Sequence, residues 1–315
     1  MRARTSTRSE TAMIVATLAL GGGLLCSAPA RAELTVAATV PDLAAIAQAV
    51  GGGKVKVLSL TLPTQDPHFV DARPHLVLQL NKADLILLAG LQLEVGWLPT
   101  LITGARNNKI QRGSDGYLDC STLALLKEVP RTRVDRSMGD IHPGGNPHYL
   151  VDPDNGIRVV RGVAERLARL DPAGSATYRR NAAALAAAIA KAKQRWAARL
   201  KPYRGTPVVT YHRSWIYFTE AMGLQIVAEL EPKPGIPPSA SHVLRVIQTM
   251  RAQKVPVLLQ EDYYPDRTAR LVAQKTGARL LVLPGGTDLR RGETYLQRLE
   301  ILVTRLVEAL KGGRG

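Results

Sequence analysis

Cysteine is scarce in this chain of 315 residues, which holds only Cys26 and Cys120. Cys26 falls in an N-terminal stretch with the marks of a cleavable leader, so no intramolecular disulfide is expected. A chain of this length can bury an ample core without one. Cys120, in YLDCSTLALL, is expected to pack as a small buried hydrophobe rather than act as a nucleophile. Acidic residues are outnumbered, 26 against 42 Lys and Arg, for a formal net charge of +16. Four Arg and one Glu of that total lie in the first 32 residues, which leaves +13 beyond them. The basic residues are dispersed, and nine Tyr and two Phe are few rings on which bases could stack. The charge therefore reads as a solvated surface suited to anionic lipid or an acidic partner, not to nucleic acid. Phosphate-cradle motifs are missing as well. No GxxxxGK followed by Ser or Thr occurs, and Gly51-Gly52-Gly53 precedes a strand instead of following one.

Long apolar runs are missing too. Arg2, Arg4 and Arg8 precede a short apolar stretch from Ala12 to Cys26 interrupted by three glycines, and Ala30-Arg31-Ala32 forms an A-x-A cleavage site. A membrane anchor needs roughly 20 unbroken apolar residues. Residues 1–32 are therefore expected to be a cleaved signal peptide, and the mature protein to be exported to the periplasm. Leu25 stands before Cys26 where a lipoprotein would carry a small residue, so lipidation is not expected.

What is present is alternation of short apolar runs with helical patterns, the signature of an α/β fold with mainly parallel sheets and helical crossovers. The first block predicts strands at 34–39, 54–60 and 84–89 and helices at 41–50, 73–82 and 93–104, followed by a loop over 130–147. The second predicts strands at 207–211, 224–230, 256–260 and 278–283, with helices at 214–222, 239–253, 265–276 and 293–311. Between them the Ala-rich run 174–200 predicts one long helix that acts as a stiff connector. The expected organisation is an N-terminal α/β lobe (33–172), a rigid connecting helix (173–203) and a similar C-terminal α/β lobe (204–315).

Six histidines occur, and three stand in turn-rich or strand-end contexts: His68 in TQDPHFVDARP, His148 in GGNPHYLVDP and His212 in VVTYHRSWIYF. Their wide separation rules out a local finger and requires a site assembled by the fold. His68 and His212 fall just past strand C-termini, where open parallel sheets place ligands. Neutral imidazole is the commonest metal ligand, so the three are candidate metal ligands. A carboxylate is expected as the fourth. Asp288, on the Gly-rich loop after strand 278–283, is favoured, with Glu261, Asp262 and Asp66 as rivals. His75 and His242 are expected at the surface or at helix caps, Ser239 and Ser241 suiting an N-cap. Glu94 and Trp97 are expected to pack and cap the first lobe.

These contexts, together with NKADLILLAGLQLEVGWLP (81–99), DPAGSATYRRNAAAL (171–185) and LLQEDYYPDRTARLVAQKTGARLLVLPGGTD (258–288), resemble the zinc/manganese-type (cluster A-I) periplasmic substrate-binding proteins of metal ABC transporters. The resemblance covers essentially the whole mature chain. It implies a carrier and not an enzyme, with metal held by His68, His148, His212 and Asp288, two from each lobe. The implied partners are a membrane permease and its ATPase. A periplasmic metallochaperone stays open as a further partner, and the carrier is expected to be a monomer that meets the membrane through the permease. The chain departs from the family pattern at Val70 and Ala72, where an aromatic and a proline are usual. Zinc members carry a long acidic, His-rich loop before the second ligand; here 131–148 is short and basic, and His142 is expected as loop decoration. Three imidazoles and one carboxylate suit four-coordinate Zn²⁺, whereas manganese prefers more oxygen and manganese members tend to have a carboxylate at the place of His212. The expectation is a high-affinity Zn²⁺ carrier. The alternatives are a manganese carrier, a zinc hydrolase with Glu261 or Asp262 as base, and a surface adhesin on the same fold. No HExxH pairing supports the hydrolase.

Overall fold

Two blocks of alternating strand and helix give two sheets of identical topology. The computed structural model describes Met1 and residues 33–132, 139 and 142–312, so the expected signal peptide lies outside the described residues apart from Met1. The first sheet comprises β1 (Leu34–Ala38), β2 (Val55–Ser59), β3 (Leu85–Leu88) and β4 (Tyr117–Asp119), in the order β2-β1-β3-β4. The second comprises β5 (Pro207–Thr210), β6 (Gln225–Glu229), β7 (Val257–Glu261) and β8 (Arg279–Leu283), in the order β6-β5-β7-β8. Every strand pairing is parallel. The central strands are covered on both faces: Leu85–Leu88, wholly apolar, and Val257–Glu261, apolar until Gln260 and Glu261, are buried throughout.

Helices cover these faces. In the first half they are α1 (Pro41–Gly51), α2 (Pro74–Asn81), α3 (Leu98–Ala105) and α4 (Pro153–Leu170). The second half has α6 (Ile216–Ala221), α7 (Ala240–Ala252), α8 (Arg267–Thr276) and α9 (Tyr295–Lys311). Between the halves runs α5 (Ser175–Leu200), 26 residues long and so about 39 Å from end to end. Its buried residues, Tyr178, Ala182, Ala186, Ile189, Ala192, Trp196 and Leu200, follow the 3–4 spacing of a single helix face. In the N-terminal part, Asn181 Nδ2 donates to the Val50 carbonyl at 3.0 Å, tying α5 to α1. Near its C-terminus, Trp196 Nε1 and Arg199 Nη1 both donate to Glu300 of α9 at 2.7 Å. One helix thus grips both lobes, as the Ala-rich run predicts.

β4 and α4 have no counterpart in the sequence reading. β4 is only three residues long, too short for a periodic signal. α4 is interrupted by Gly156 and Gly162, which are there for close packing. A Cβ on Gly156 would meet Tyr295 Oη at 2.3 Å, and one on Gly162 would meet Leu123 Cδ1 at 2.3 Å. Pro153 at its first turn and the Asp152 side chain, accepting from the Asp154 amide at 2.9 Å, mark its start. α3 begins five residues later than predicted, after a run of turns over 91–97 that opens with Leu91 and Gln92 in left-handed backbone at φ 55° and 67°. Cys120 is fully buried, and burial pushes its thiol pKa well up, in keeping with a packing role. Among the described residues no helix is long and apolar enough to cross a membrane.

Candidate metal centre

Two of the three histidines are presented by the same local device. In Asp66-Pro67-His68 the Asp66 Oδ1 accepts the His68 amide at 3.0 Å, and in Asn146-Pro147-His148 the Asn146 Oδ1 accepts the His148 amide at 3.0 Å. The central proline fixes φ while the Asx side chain closes the turn. Further bonds anchor both turns. Trp97 Nε1 donates to the Pro67 carbonyl at 2.9 Å, and Asn146 Nδ2 donates to the Arg213 carbonyl at 2.8 Å, across the lobes. Trp97 thus holds the first ligand loop itself, and Glu94 is buried beneath it, accepting from Thr39 Oγ1 at 2.6 Å and the Ala89 amide at 2.7 Å.

His212 extends directly from β5. In the parallel register Thr210 pairs with Glu229 of β6, and two residues further on His212 Nδ1 meets Glu231 Oε2 at 2.6 Å. Sequence reasoning missed Glu231. The signal was available in the strand register, since residues at equal distances past two paired parallel strands stand side by side.

The fold brings these three histidines together. A nitrogen from each of His68, His148 and His212 lies within 4.8 Å of the other two, and among the described residues these three are the group of His, Cys, Asp or Glu that could hold an ion. Ring centroids are 5.2 Å apart for His68–His148 and 5.4 Å for both His68–His212 and His148–His212. His68 Nδ1 is taken by Asp66 Oδ1 at 2.7 Å and His212 Nδ1 by Glu231, so both rings direct Nε2 inward. A carboxylate on the outer nitrogen fixes the tautomer and raises ligand basicity. Asp66, a rival ligand in the sequence, is thus an orienting partner of His68. His148 Nε2 is buried without a hydrogen-bond partner, a lone pair that a cation would satisfy.

Charge is distributed unevenly. Burial, reinforced by the charges of His68 and His212, holds His148 well below the ordinary imidazole value. Burial would also lower His212, but the Glu231 hydrogen bond and the charges of Glu261 and Glu231 outweigh it and raise its pKa. Metal binding requires all three neutral.

Asp288 does not join the group. It follows β8, an edge strand two places from β5. There Thr287 turns inward, donating to Asp42 Oδ1 from its amide at 3.0 Å and from its hydroxyl at 2.6 Å. Asp288 then opens the 3-10 turn at Leu289–Arg291, and its Oδ2 faces Arg291 Nε at 3.3 Å. Asp262 is occupied in accepting the Gly285 amide at 3.1 Å. Glu261 is buried and accepts from Ser214 Oγ, while its Oε2 has no partner. It lines a cavity of about 60 Å³ together with His148, Trp215 and Arg298. Burial raises its pKa.

His142 departs from the expectation of loop decoration. It stands beside the trio, its Nε2 3.4 Å from His68 Nε2. Ser239 caps α7 as expected, its hydroxyl accepting the His242 amide at 3.3 Å, and His242 Nε2 meets the Glu229 carbonyl at 2.9 Å.

The arrangement is a cluster of imidazole nitrogens at the junction of the two lobes, and it could hold a cation. The high-affinity zinc uptake system protein ZnuA of Paracoccus denitrificans (strain Pd 1222) is 28% identical over 274 residues, covering 76% of this chain and 79% of its own. The manganese ABC transporter substrate-binding lipoprotein PsaA of Streptococcus pneumoniae is 23% identical over 287 residues, covering 88% and 89%. A crystal structure of ZnuA superposes with a TM-score of 0.75 at 22% identity, covering 88% of this chain and 98% of that one, which establishes the shared two-lobed fold. The family model described as zinc-uptake complex component A, periplasmic, matches residues 36–309. The chain therefore belongs to that family, as a metal-binding, extracytoplasmic substrate-binding protein of an ABC transporter and not an enzyme.

Proposed function

We propose that His68, His148 and His212 bind the cargo ion, and that the cargo is Zn²⁺, captured in the periplasm and passed to an ABC permease for import. One observation carries this reading: three imidazoles converge, two of them with their outer contacts already made, and among the described residues no carboxylate joins the group. Such a donor set suits zinc, with Zn–N near 2.0–2.1 Å, better than manganese, which favours oxygen ligands. The relative named for zinc supports the reading; the relative named for manganese is the reason to test it.

The test is a competition titration of the metal-free protein with Zn²⁺ and Mn²⁺ against a chromophoric chelator. One zinc per chain, bound far more tightly than manganese, is expected. His212→Ala should abolish tight binding, whereas Asp288→Ala should bind zinc like the wild type. A wild type that holds manganese more tightly than zinc would overturn the zinc assignment. Undiminished zinc binding by His212→Ala would overturn the site.

A further inference from the structure

We infer that the outward side of α4 and α5 is a docking surface for an anionic phospholipid bilayer, on which the carrier rests near the permease it serves. The inference rests on the family membership shown above and not on the identity of the ion. Its first support is charge. Lys and Arg are dispersed along the chain, but Asp and Glu are not, so the net charge is uneven. Residues 153–204 hold 12 Lys and Arg against three Asp and Glu, a net of +9. Residues 33–152 come to −1 and residues 205–315 to +5, which completes the +13 beyond residue 32. One helical segment thus carries most of the excess.

A second support is where these cations stand. The buried residues of α5 occupy one side of the helix. On the opposite side Arg180, Ala184, Ala187, Lys191, Arg195 and Ala198 recur at the same 3–4 spacing, all of them exposed. From Arg180 to Arg195 this stripe runs about 22 Å along the helix. Alongside it, α4 exposes Arg158, Arg161 and Arg169. Arg161 and Arg179 line one groove between the two helices with Ile157, Ala183 and Ala187, so both sets of cations belong to one surface. The acids of the segment are already engaged. Lys193 Nζ meets Asp154 Oδ2 at 2.6 Å, and Arg179 donates to the two oxygens of Glu165 at 2.9 and 2.8 Å. Buried Asp171 accepts the Tyr178 hydroxyl at 2.7 Å. Among the described residues no carboxylate pairs with Arg158, Arg161, Arg180, Lys191, Lys201 or Arg204.

Such a surface fits a broad sheet of anions better than a shaped partner. Protein hot spots are built on aromatic or Arg anchors seated in pockets, whereas residues 179–195 hold no aromatic side chain and space their charges with alanines. A fluid bilayer brings mobile headgroups to each cation, and each Lys or Arg close to it strengthens binding roughly fivefold. The small alanines let the helix approach the headgroup plane. α4 and α5 lie on the faces of the sheets, while His212 leaves the end of β5, so docking on this side does not use the ion site. The consequence is kinetic. A carrier held at the bilayer searches for its permease in two dimensions, and salt screening keeps the contact reversible.

The experiment measures co-sedimentation of residues 33–315, the compact unit that holds both lobes, with two kinds of vesicle. One is equimolar phosphatidylglycerol and phosphatidylcholine, and the other is phosphatidylcholine alone. Wild type is compared with a face variant combining Arg158→Gln, Arg161→Gln, Arg180→Gln and Lys191→Gln. A control variant combines Arg245→Gln, Lys254→Gln, Arg267→Gln and Lys275→Gln, exposed positions of the second lobe, and loses the same charge. Thermal unfolding and zinc titration of each protein check the fold, and the partition itself reads no metal. Wild type is expected to bind the anionic vesicles alone, and to weaken steeply between about 0.05 and 0.5 M NaCl. The face variant should lose at least about a hundredfold in partition, and the control variant less than about threefold. Equal losses in the two variants would assign the effect to total charge and overturn the inference, as would a wild type that binds both vesicles alike or neither. Should wild type ignore the vesicles yet bind polyglutamate through the same four cations, the face belongs to an acidic protein and the lipid assignment falls.

Discussion

At the scale of single residues, Asp66 and Glu231 decide which nitrogen of His68 and His212 faces the inner space of the proposed site. Glu231 holds His212 Nδ1 at 2.6 Å, also accepts the Gly235 amide at 3.2 Å, and is itself buried. Glu231→Gln keeps a hydrogen-bonding shape but removes the charge, and should weaken zinc binding roughly tenfold in the same competition titration. Glu94 tests the electrostatics of the first lobe separately from the metal. Burial pushes its carboxyl up to about 7 from the ordinary 4.5. A group raised in the folded state stabilises the fold below its unfolded value, and that contribution is lost as pH climbs through the folded one. Wild-type stability should therefore decline between about pH 4.5 and 8, by about 3 kcal/mol relative to Glu94→Gln, in urea titrations at several pH values. Equal pH slopes for the two proteins would show that Glu94 does not titrate in that range. The histidine contexts were legible in the sequence because Asp-Pro-His and Asn-Pro-His encode a turn locally. Glu231, 19 residues from its partner in a neighbouring strand, was not, since only the β5–β6 register brings it there.

Among the elements, α5 matters most for how the protein works. Its periodic small residues allow close packing on α1 and α4, and Trp196 and Arg199 clamp its far end to Glu300 of α9. Trp196 is fully buried, so Trp196→Ala removes a large core side chain and the hydrogen bond to Glu300. A loss of about 3–5 kcal/mol in unfolding free energy is expected by chemical denaturation. A loss below 1 kcal/mol would mean that the clamp is incidental. The helix was readable from composition because Ala, Lys, Arg and Leu favour helices irrespective of context. α4 was not, because its two glycines lower the local propensity and are explained by Tyr295 and Leu123, one of which lies far along the chain.

For the whole molecule, the seam between lobes is held by an ion pair as well as by α5. Arg298 of α9 meets Asp42 of α1 at 2.9 Å, with side-chain exposures of 3% and 8%, and Asp42 also receives Thr287. Removing one partner leaves the other charge buried and unpaired. Asp42→Ala should cost about 3–5 kcal/mol in unfolding free energy, with zinc stoichiometry preserved. A seam of buried charge and a continuous helix favour small lobe displacements over a wide hinge swing. Loss of zinc binding in a still-folded Asp42→Ala protein would instead show that the seam controls the site.

The sequence by itself determined the two α/β lobes, the connecting helix and the three histidine ligand candidates, because periodicity, helix propensity and Pro-linked turns are properties of neighbours in the chain. It also supplied the donor chemistry from which a metal was inferred. Tertiary structure decided which side chains share the inner space. It set Asp288 on a turn facing Arg291, gave Asp66 and Glu231 to the outer nitrogens, and placed His142 beside His68. The Asp66 and Asp288 contacts are made within three residues along the chain, whereas those of Glu231 and His142 close separations of 19 and 74 residues through strand order and packing, which no local pattern records.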